Sequence, residues 1–484
     1  MPRHTKIVAT LGPASSDPET LARMVHAGID VVRMNFSHGT AEDHVARAAT
    51  IREASIRAGR PVGILADLQG PKIRVGKFRA GRVTLMRDAH FILDAACELG
   101  DDDRVGLDYR DLPRDVRAGD ILLLDDGRIK LEVERVVGSE IHTTVRVGGE
   151  LSNNKGINRK GGGLSAPALT AKDMEDIRTA ANMGAAFLAV SFPKSAADMY
   201  MARQLMRAAG GKALLIAKIE RTEAVANLEE ILDASDGIMV ARGDLAVEVG
   251  DATVPALQKR MIRAARERNK LTITATQMME SMINSPVPTR AEVSDVANAV
   301  LDGTDAVMLS AETASGSFPV DVVDAMSRVC LEAEKSVEVT LDRDVLNRVF
   351  TQIDQSIAMA AIWTAYHLKV KAIASLTQTG STALWMSRLN GGVPIYALTP
   401  DPVAHNQMTL YREVYPLLMS QTHQDRDLLL YEAEQLLLDR GVVERGDLIA
   451  LTIGEPIGSS GGTNTLKIVR VGEHPIPAQI AGTA

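Results

Sequence analysis

Cysteine is nearly absent from this chain. Its 484 residues include only Cys97 and Cys330, too few for a disulfide framework or a four-ligand zinc site. This scarcity favours a reducing compartment, so a cytoplasmic location is expected. Long apolar runs are lacking as well, since no segment approaches the ~20 residues that a membrane span requires. No membrane partner is therefore expected.

A surplus of positive charge is also missing. The chain has 54 Lys and Arg against 62 Asp and Glu, a net charge of -8. That sign disfavours binding to a phosphate backbone or an anionic membrane, so no nucleic-acid partner is expected. The length exceeds what one hydrophobic core supports and predicts two to four domains.

The chain does contain eight short, apolar, β-branched runs, and most are separated by stretches of helical periodicity. Each run is typical of a strand buried on both faces. Eight βα repeats in succession predict a closed parallel (β/α)8 barrel, a TIM barrel. The predicted strands are Lys6–Leu11, Val31–Phe36, Val62–Leu68, Phe187–Phe192, Ala213–Ile219, Gly237–Arg242, Leu271–Thr276 and Ala306–Ser310.

Two further domains are predicted from breaks in this pattern. Between Leu68 and Phe187 the pattern changes to strands, which indicates an inserted all-β lid over residues 72–166 and leaves 1–71 and 167–340 for the catalytic barrel. After Leu341 strands and helices alternate again, which predicts a C-terminal open-sheet α/β regulatory domain over 341–484. The predicted lid strands are Lys72–Phe78, Arg82–Met86, Ile121–Leu124, Ile129–Val136 and His142–Val147, and the C-terminal ones are Ala372–Leu376, Ile395–Leu398, Val414–Met419, Leu448–Thr452 and Leu466–Val471.

Polar residues follow most of the predicted barrel strands. The carboxyl ends of barrel strands meet at one rim, where active sites of this fold lie. The sequence therefore predicts that these side chains share a site. They are Arg33, Asn35, Ser37, His38, Asp67, Ser191, Lys218, Glu220, Arg242, Gly243, Asp244, Thr276, Gln277, Ser310 and Glu312.

The chemistry of these groups favours a metal and a phosphate. Glu220 and Asp244 offer hard oxygen ligands for Mg²⁺, and Mn²⁺ can take its place. Arg33 and Lys218 offer positive charge to a phosphoryl group. A structural ion pair between Lys218 and Glu220 is the alternative, because such pairs also occur in clefts. The agreement of several strand ends favours a site for phosphoryl transfer between a small phosphorylated acid and a nucleotide.

Several motifs resemble the pyruvate kinase family, and the resemblance spans the chain. The motifs are Arg33–Gly39, Ala66–Arg74, Ala217–Glu220, Val240–Leu245, Ala275–Met282, Pro288–Glu292 and Met308–Thr313. The resemblance implies Mg²⁺-dependent phosphoryl transfer from phosphoenolpyruvate to ADP, giving pyruvate and ATP, as the last step of glycolysis. It also implies a homotetramer.

The resemblance further assigns roles to single residues. Arg33, Lys218, Gly243, Asp244 and Thr276 bind the substrate, with Lys218, Arg33, Thr276 and Ser310 taking part in catalysis. Glu220 and Asp244 hold the metal. Asn35, His38, Arg74 and the lid residue Lys155 bind the nucleotide. The sequence does not decide which group protonates the enolate. For Lys155 a solvated loop lysine is the alternative, and Asp125-Asp126-Gly127 indicates a hairpin turn.

One residue departs from many relatives. Lys72 stands where they carry Glu and require K⁺ near Asn35, Ser37 and Asp67. The ammonium group of Lys72 could replace that ion, and the pattern resembles the K⁺-independent branch of the family. We therefore expect that K⁺ is not required.

A loop in the last domain indicates an effector site. Thr377, Thr379, Gly380, Ser381 and Thr382 follow a predicted strand and open a helix, where backbone N–H groups and hydroxyls can hold a phosphate. Simple helix capping is the alternative. The resemblance implies a sugar-phosphate activator. The loop Gly454–Gly458 lacks basic residues, which favours a sugar monophosphate over a bisphosphate.

Two other functions fit the same fold. A Mg²⁺-dependent lyase or aldolase could use two carboxylates to stabilise an enolate, although the nucleotide-facing residues and the lid argue against it. A non-catalytic sugar-phosphate sensor would also retain the fold, although Lys218, Glu220, Asp244 and Thr276 are all present. Assaying ADP-dependent pyruvate formation separates the three.

Overall fold

The computed structural model describes residues 2–336, 349–419, 425–458 and 461–473. Eight parallel strands form a closed barrel in the order β1-β2-β3-β14-β15-β16-β17-β18, and β18 pairs with β1. Strands are numbered along the chain, and β4 to β13 belong to an insertion. The barrel strands are β1 Lys6–Thr10, β2 Val31–Asn35, β3 Gly63–Asp67, β14 Phe187–Val190, β15 Leu214–Ile219, β16 Gly237–Ala241, β17 Leu271–Ala275 and β18 Ala306–Leu309.

The predicted barrel is confirmed. Each predicted strand matches an observed one to within two residues at either end, because nearly all of these residues are apolar and buried between the barrel interior and the surrounding helices. The helices of the barrel are Pro18–Ala27, Ala41–Ala58, Ala171–Asn182, Ala196–Ala208, Thr222–Ala226, Leu228–Ala234, Arg242–Val249, Val254–Glu267, Arg290–Leu301, Ala311–Ala314 and Pro319–Lys335, with 3₁₀ turns at Pro13–Ser15, Asp251–Thr253 and Glu280–Ile283.

An all-β lid is inserted after β3, as predicted. Its main sheet has the order β13-β9-β10-β11-β6-β8, and β12 pairs with β5 and β4 with β7. A separate apolar core includes Phe91, Leu122 and Leu131. The strands are β4 Lys77–Phe78, β5 Arg82–Leu85, β6 His90–Asp94, β7 Leu99–Gly100, β8 Arg104–Val105, β9 Ile121–Leu124, β10 Ile129–Val137, β11 Glu140–Val147, β12 Gly149–Ser152 and β13 Ile157–Arg159, with one helix at Leu112–Asp115.

One predicted lid strand is wrong over most of its length. Lys72–Phe78 was expected to be continuous, but only Lys77–Phe78 forms a strand. Arg74 and Val75 make single bridges to Gly156 and Leu107 instead. The segment passes from the barrel to the lid, so its backbone bonds to a different partner at each step.

Both connections of the lid meet at one barrel helix. The Asp173 carboxylate accepts hydrogen bonds from the Gly70 N–H at 3.0 Å and from the Thr170 N–H at 2.8 Å. Gly70 precedes the lid and Thr170 follows it, while Asp173 is fully buried in the first turn of the helix Ala171–Asn182. Gly70 has φ +65°, and a Cβ there would lie 2.8 Å from the Ser191 Cβ, so a side chain would not fit.

The last domain is an open α/β sheet, as predicted, in the order β21-β20-β19-β22-β23. Only β23 runs antiparallel to its neighbour. The strands are β19 Ala372–Leu376, β20 Ile395–Thr399, β21 Val414–Leu418, β22 Leu448–Gly454 and β23 Thr463–Arg470, and the helices are Ile353–Leu368, Ser381–Arg388, Pro402–Gln407 and Arg426–Asp439, with a 3₁₀ turn at Met408–Leu410. The predicted boundary at 340/341 lies outside the described residues.

A buried charged cluster joins this domain to the floor of the barrel. The Asp305 carboxylate, just before β18, accepts from the Arg388 guanidinium at 2.6 Å and from the Thr272 N–H at 2.9 Å. Arg388 and Asp305 side chains are 2% and 0% exposed.

Across the described part of the chain, no helix combines the length and apolar character needed to cross a membrane.

Candidate active site

The ends of β2, β3 and β15 bring two cations and two carboxylates together. The Lys218 ammonium nitrogen lies 2.9 Å from Glu220 Oε1 and 3.4 Å from Asp67 Oδ1. Arg33 Nε lies 2.5 Å from Asp67 Oδ2. These strands are parallel, with β14 between β3 and β15, and they place the four groups at the carboxyl end of the barrel, as the sequence predicted.

Burial and neighbouring charges shift the protonation of this cluster. Burial raises the pKa of Glu220 and the charge of Asp244 adds to that rise, although Lys218 opposes it. Burial alone would raise the pKa of Asp67 too, but Lys218 and Arg33 outweigh it and hold that pKa below its usual value. Burial disfavours the charged form of Lys218, yet the carboxylates of Asp67 and Glu220 leave its pKa raised. Lys218 therefore stays an ammonium ion, able to neutralise an anionic substrate.

The donor set at this rim fits a hard divalent cation. Asp244 lies in the first turn of the helix Arg242–Val249, close enough to Glu220 to raise its pKa. No group of three or more His, Cys, Asp or Glu ligands occurs among the described residues. Glu220 and Asp244 offer two carboxylates, the hard oxygen ligands that such a cation prefers. Lys72 Nζ lies 3.0 Å from Asp244 Oδ1, so Lys72 forms an ion pair with Asp244 rather than with Asp67.

Thr276 and Gly243 form a polar corner beside Asp244. The Gly243 N–H donates to Thr276 Oγ1 at 2.8 Å, and that hydroxyl donates to the Ala275 carbonyl at 2.6 Å. Thr276 and Gln277 have φ +69° and +53°, a left-handed conformation that is an outlier for a β-branched residue. A Cβ at Gly243 would lie 3.6 to 4.0 Å from three atoms of the Thr276 side chain, so Gly243 packs directly against Thr276.

Arg242 holds this corner in place, a contact that the sequence did not reveal. Its guanidinium donates to the Thr276 carbonyl at 2.7 Å and to Asp295 at 2.7 Å, and more weakly to the Ala275 carbonyl at 3.3 Å. Five donors in a rigid planar fork suit such a convergent set of acceptors. The sequence marked Arg242 as a strand-end residue, but the direction of its side chain depends on the fold.

Ser310 lies at the end of β18 and is held by Glu312. The Ser310 N–H donates to Glu312 Oε2 at 2.6 Å, and the Met279 N–H donates to Glu312 Oε1 at 3.2 Å. Burial raises the pKa of Glu312, while hydrogen bonds from the backbone oppose the rise. Glu312 thus ties the segments that follow β17 and β18 together, and Ser310 keeps a defined position at the rim.

The four proposed nucleotide residues lie in two groups. Asn35 and His38 belong to the turn after β2, where Asn35 Oδ1 accepts from the Ser37 N–H at 3.1 Å and the Asn35 carbonyl accepts from the His38 N–H at 3.2 Å. Arg74 and Lys155 belong to the lid, and the Arg74 guanidinium donates to the Asn154 carbonyl at 3.0 Å.

Lys155 has a partner that sequence reasoning overlooked. Its ammonium nitrogen lies 2.7 Å from Asp125 Oδ1. Asp125, Asp126 and Gly127 have φ +49°, +55° and +84° and connect β9 to β10, so the predicted hairpin turn is present. Asp125 therefore both begins a turn and anchors the lid lysine.

The loop after β19 lines a pocket together with the loop after β22. Strand order reverses at β19, and the loops on either side of such a point form a crevice. The Gly380 N–H donates to Thr377 Oγ1 at 2.8 Å, and the Thr382 and Thr463 hydroxyls are 2.7 Å apart. Gly380 has φ +81°, and a Cβ there would lie 2.8 Å from Met408.

The pocket is lined by hydroxyls and glycines, including Thr379, Ser381 and Gly458, and by apolar side chains such as Leu398 and Ile453. None of the described residues that line it is charged. The Glu455 carboxylate lies 3.7 Å from Arg426 and accepts from the Thr465 hydroxyl at 3.2 Å, so its charge is partly neutralised.

The barrel, the lid and the cluster at the rim together define a metal-dependent phosphotransferase. Comparison with family models agrees: the pyruvate kinase barrel domain matches residues 2–323, and the pyruvate kinase alpha/beta domain matches residues 355–469. The chain belongs to the pyruvate kinase family, whose enzymes act on phosphoenolpyruvate and ADP and form pyruvate and ATP.

Curated relatives support the same assignment. The chain is 52% identical over 475 residues to pyruvate kinase II of Salmonella typhimurium, covering 97% of this chain and 99% of the relative. It is 52% identical over 458 residues to pyruvate kinase of Haemophilus influenzae, covering 93% and 96%. Identity to pyruvate kinase of Mycobacterium tuberculosis is 42% over 477 residues, covering 98% and 100%.

Proposed function

We propose that phosphoryl transfer takes place on the cluster of Lys218, Glu220 and Asp244. The observation that carries this proposal is the position of the Lys218 ammonium, 2.9 Å from Glu220 and 3.4 Å from Asp67 at the open rim. Mg²⁺, or Mn²⁺ in its place, would be held by Glu220 and Asp244 and would supply charge neutralisation to the phosphoryl and enolate oxygens.

The protein side chains would then perform the remaining tasks. Arg33 and Lys218 neutralise the equatorial oxygens while the bond from phosphorus to the enol oxygen breaks and a new bond to the ADP β-phosphate forms. The substrate carboxylate lies at the Gly243–Thr276 corner. The enolate that remains takes a proton on carbon, with Thr276 and Ser310 placed along the route.

The metal role is testable by paired neutral substitutions. Glu220→Gln and Asp244→Asn keep the shape of each side chain but remove a charged ligand, so each should weaken Mn²⁺ binding, measured directly by electron paramagnetic resonance, and lower kcat by at least about 100-fold. Asp324→Asn, which removes an exposed carboxylate paired with Arg328, should leave Mn²⁺ affinity intact. Unchanged Mn²⁺ binding in both site variants would contradict the assignment.

We propose that the nucleotide lies between the turn after β2 and the lid. Asn35, His38 and Arg74 would contact it, and Lys155 would reach its phosphates when the lid closes, excluding water. Lys155→Met should raise the KM for ADP more than that for phosphoenolpyruvate. The matched variant is Lys130→Met, a change of an exposed lysine on the lid strand β10, and it should change neither.

We propose that K⁺ is not required. The support is an ammonium group already at the rim: Lys72 pairs with Asp244, and Arg33 and Lys218 pair with Asp67. Activity in tetramethylammonium should equal that in K⁺, whereas Lys72→Glu should lose activity in tetramethylammonium and regain it in K⁺. A large loss of turnover for the unaltered enzyme on K⁺ removal would contradict this.

We propose that the pocket at the β19 and β22 loops binds a sugar monophosphate activator such as ribose 5-phosphate or glucose 6-phosphate. The support is its set of hydroxyls and the helix that begins at Ser381. Ser381→Asp should repel the phosphate, while the neutral Ser381→Asn should keep binding. Calorimetry with both sugars and both variants is decisive, because heat of binding that is equal for Asp and Asn would place the ligand elsewhere.

A homotetramer is also proposed. Large apolar side chains are exposed on two separate helices, Val293 and Leu301 on Arg290–Leu301 and Ile353, Trp363 and Leu368 on Ile353–Leu368. Two such faces suit an assembly with two kinds of interface. Sedimentation equilibrium should give four times the chain mass of 52.0 kDa.

A further inference from the structure

The fourth barrel strand ends in an unusual corner. Ser191 and Phe192 follow β14, and their exposed fractions are 1% and 5%. Phe192 has φ +56°, a conformation that is rare for a bulky residue and that persists only where the surroundings enforce it. Backbone strain of this kind is found preferentially at functional sites.

The Ser191 hydroxyl lies between two groups of the site. It donates to the Leu68 carbonyl at 2.7 Å and accepts from the Lys218 ammonium at 2.8 Å. The Leu68 carbonyl at 2.7 Å is a closer acceptor for its proton than Asp67 Oδ1 at 3.5 Å, so the lone pairs of the hydroxyl are left for Lys218. The hydroxyl is therefore oriented before any ligand arrives.

The same corner holds the neighbouring carboxylate. The Phe192 N–H donates to Glu220 Oε2 at 2.9 Å, while Glu220 Oε1 faces Lys218 at 2.9 Å. The guanidinium carbon of Arg221 lies 5.2 Å from the centre of the Phe192 ring, which helps keep the ring and its backbone in place. One corner thus fixes both charged groups of the following strand.

We propose that Ser191 is a positioning residue that aims the Lys218 ammonium at the transferring phosphoryl group. A lysine side chain is long and flexible and carries a point charge, so an oriented acceptor is needed to hold it in one place during reaction. Without the hydroxyl, Lys218 stays charged but moves toward Asp67 and Glu220. This inference rests on the proposed role of Lys218.

The test compares two serine-to-alanine variants. Ser191→Ala should lower kcat by about 10- to 100-fold, the effect of one hydrogen bond to a charged group. The KM for phosphoenolpyruvate and the Mn²⁺ affinity should change by no more than about twofold, because Arg33, Glu220 and Asp244 remain. Ser191→Cys should fall between alanine and serine, since a thiol is a weaker acceptor.

Ser235→Ala is the matched control. Ser235 is also 1% exposed and donates to a backbone carbonyl, that of Ile231, at 2.6 Å, but it lies before β16 at the opposite end of the barrel. It should lose a similar amount of thermal stability with no loss of kcat.

Two results would overturn the inference about Ser191 while the wild-type enzyme turns over normally. One is a kcat for Ser191→Ala equal to that of Ser235→Ala. The other is a raised KM for phosphoenolpyruvate with kcat unchanged, which would indicate a ground-state contact. If Lys218→Met kept the wild-type kcat, the role proposed for Lys218 would fail and that of Ser191 with it.

Discussion

Three acceptors surround the ammonium group of Lys218, and this arrangement makes a residue-level prediction. Lys218→Met keeps the apolar stem and removes the charge, so kcat should fall by at least about 1,000-fold because transition-state charge loses its nearest neutraliser. Lys270→Met is the control, because Lys270 instead donates to the Ser235 carbonyl at the far end of the barrel. A coupled assay of pyruvate formation measures both, and a loss below tenfold for Lys218→Met would contradict the role.

A second residue-level prediction concerns pH and stability. Burial raises the pKa of Glu413 to about 8 from 4.5, with Arg412 opposing the rise and Glu334 adding to it. The unfolded chain releases this proton near pH 4.5, whereas the folded protein keeps it until about pH 8. Folded stability is therefore lost progressively as pH rises from 4.5 to 8, by an amount on the order of 3–5 kcal/mol above that range.

The neighbours of Glu413 also favour a raised pKa for this residue. His4 Nδ1 lies 3.8 Å away, but burial lowers the pKa of His4 to about 4, so His4 is neutral and gives no ion pair at neutral pH. Glu413→Gln should match the unaltered protein in apparent Tm at pH 5 and exceed it at pH 8.5 by calorimetry. Glu473→Gln, a change at the surface, should show no such dependence. If the apparent Tm of Glu413→Gln and of the unaltered protein were equal at both pH values, the raised pKa of Glu413 would be refuted.

The location of a site residue could be predicted from the sequence when it depended only on the residue's position at the end of a strand. Glu220 and Asp244 could be expected at one rim because parallel strands share an orientation. The roles of Ser191 and Arg242 could not, since each depends on a side-chain direction that the backbone of a neighbouring strand sets. Lys72 lies at the rim, but its contact with Asp244 also depends on the path of the lid connection.

At the level of elements, Arg242 joins the helix Arg242–Val249 to the end of β17. Arg242→Lys keeps the charge but loses the fork that binds the Thr276 carbonyl and Asp295, so the left-handed corner should relax. The KM for phosphoenolpyruvate should rise about tenfold, and that for ADP should change little.

Arg203→Lys provides the comparison for this element. Arg203 also binds a carbonyl, that of Ala234 at 3.0 Å, and a carboxylate, that of Asp236 at 3.0 Å, but outside the site. Its substitution should alter neither KM. Steady-state kinetics with each substrate varied in turn measure the effect, and a parallel rise of both KM values for Arg242→Lys would point to general disruption.

Helices and strands could be predicted from the sequence where one hydrophobic pattern determined their structure. Barrel strands are apolar on both faces, so their bounds follow from sequence alone. The strand β6 was missed because polar His90 and Asp94 leave only three apolar residues between them. The sequence of Lys72 to Gly76 is typical of a strand. Its backbone hydrogen bonds depend instead on the path of the chain between the barrel and the lid, which the sequence does not show.

At the scale of the whole molecule, the Asp305–Arg388 pair holds the C-terminal domain against the barrel. Asp305→Asn leaves the buried Arg388 without its counter-charge, so unfolding free energy should fall by about 3–5 kcal/mol. Adding Arg388→Met should recover part of that loss, because the unpaired charge is then removed. Calorimetry compares these variants with Asp324→Asn, which breaks an exposed pair with Arg328 and should cost little. Equal losses in the two asparagine variants would refute the coupling.

The order of barrel, inserted lid and open-sheet domain was predictable because each has its own sequence period. The contacts between them were not, since Asp305 and Arg388 are separated by 83 residues and neither lies in a recognisable motif. Long-range ion pairs leave no local signal in a single sequence.

The carboxylate of Asp173 limits how the lid can travel. The Gly70 N–H at the chain entry and the Thr170 N–H at the chain exit each bond to one oxygen of this carboxylate, so a sliding displacement of the whole β unit would break at least one of the two hydrogen bonds. Turning about an axis through that point keeps both. We therefore expect the lid to open by rotation about this anchor, a motion that would carry Arg74 and Lys155 away from the rim and back.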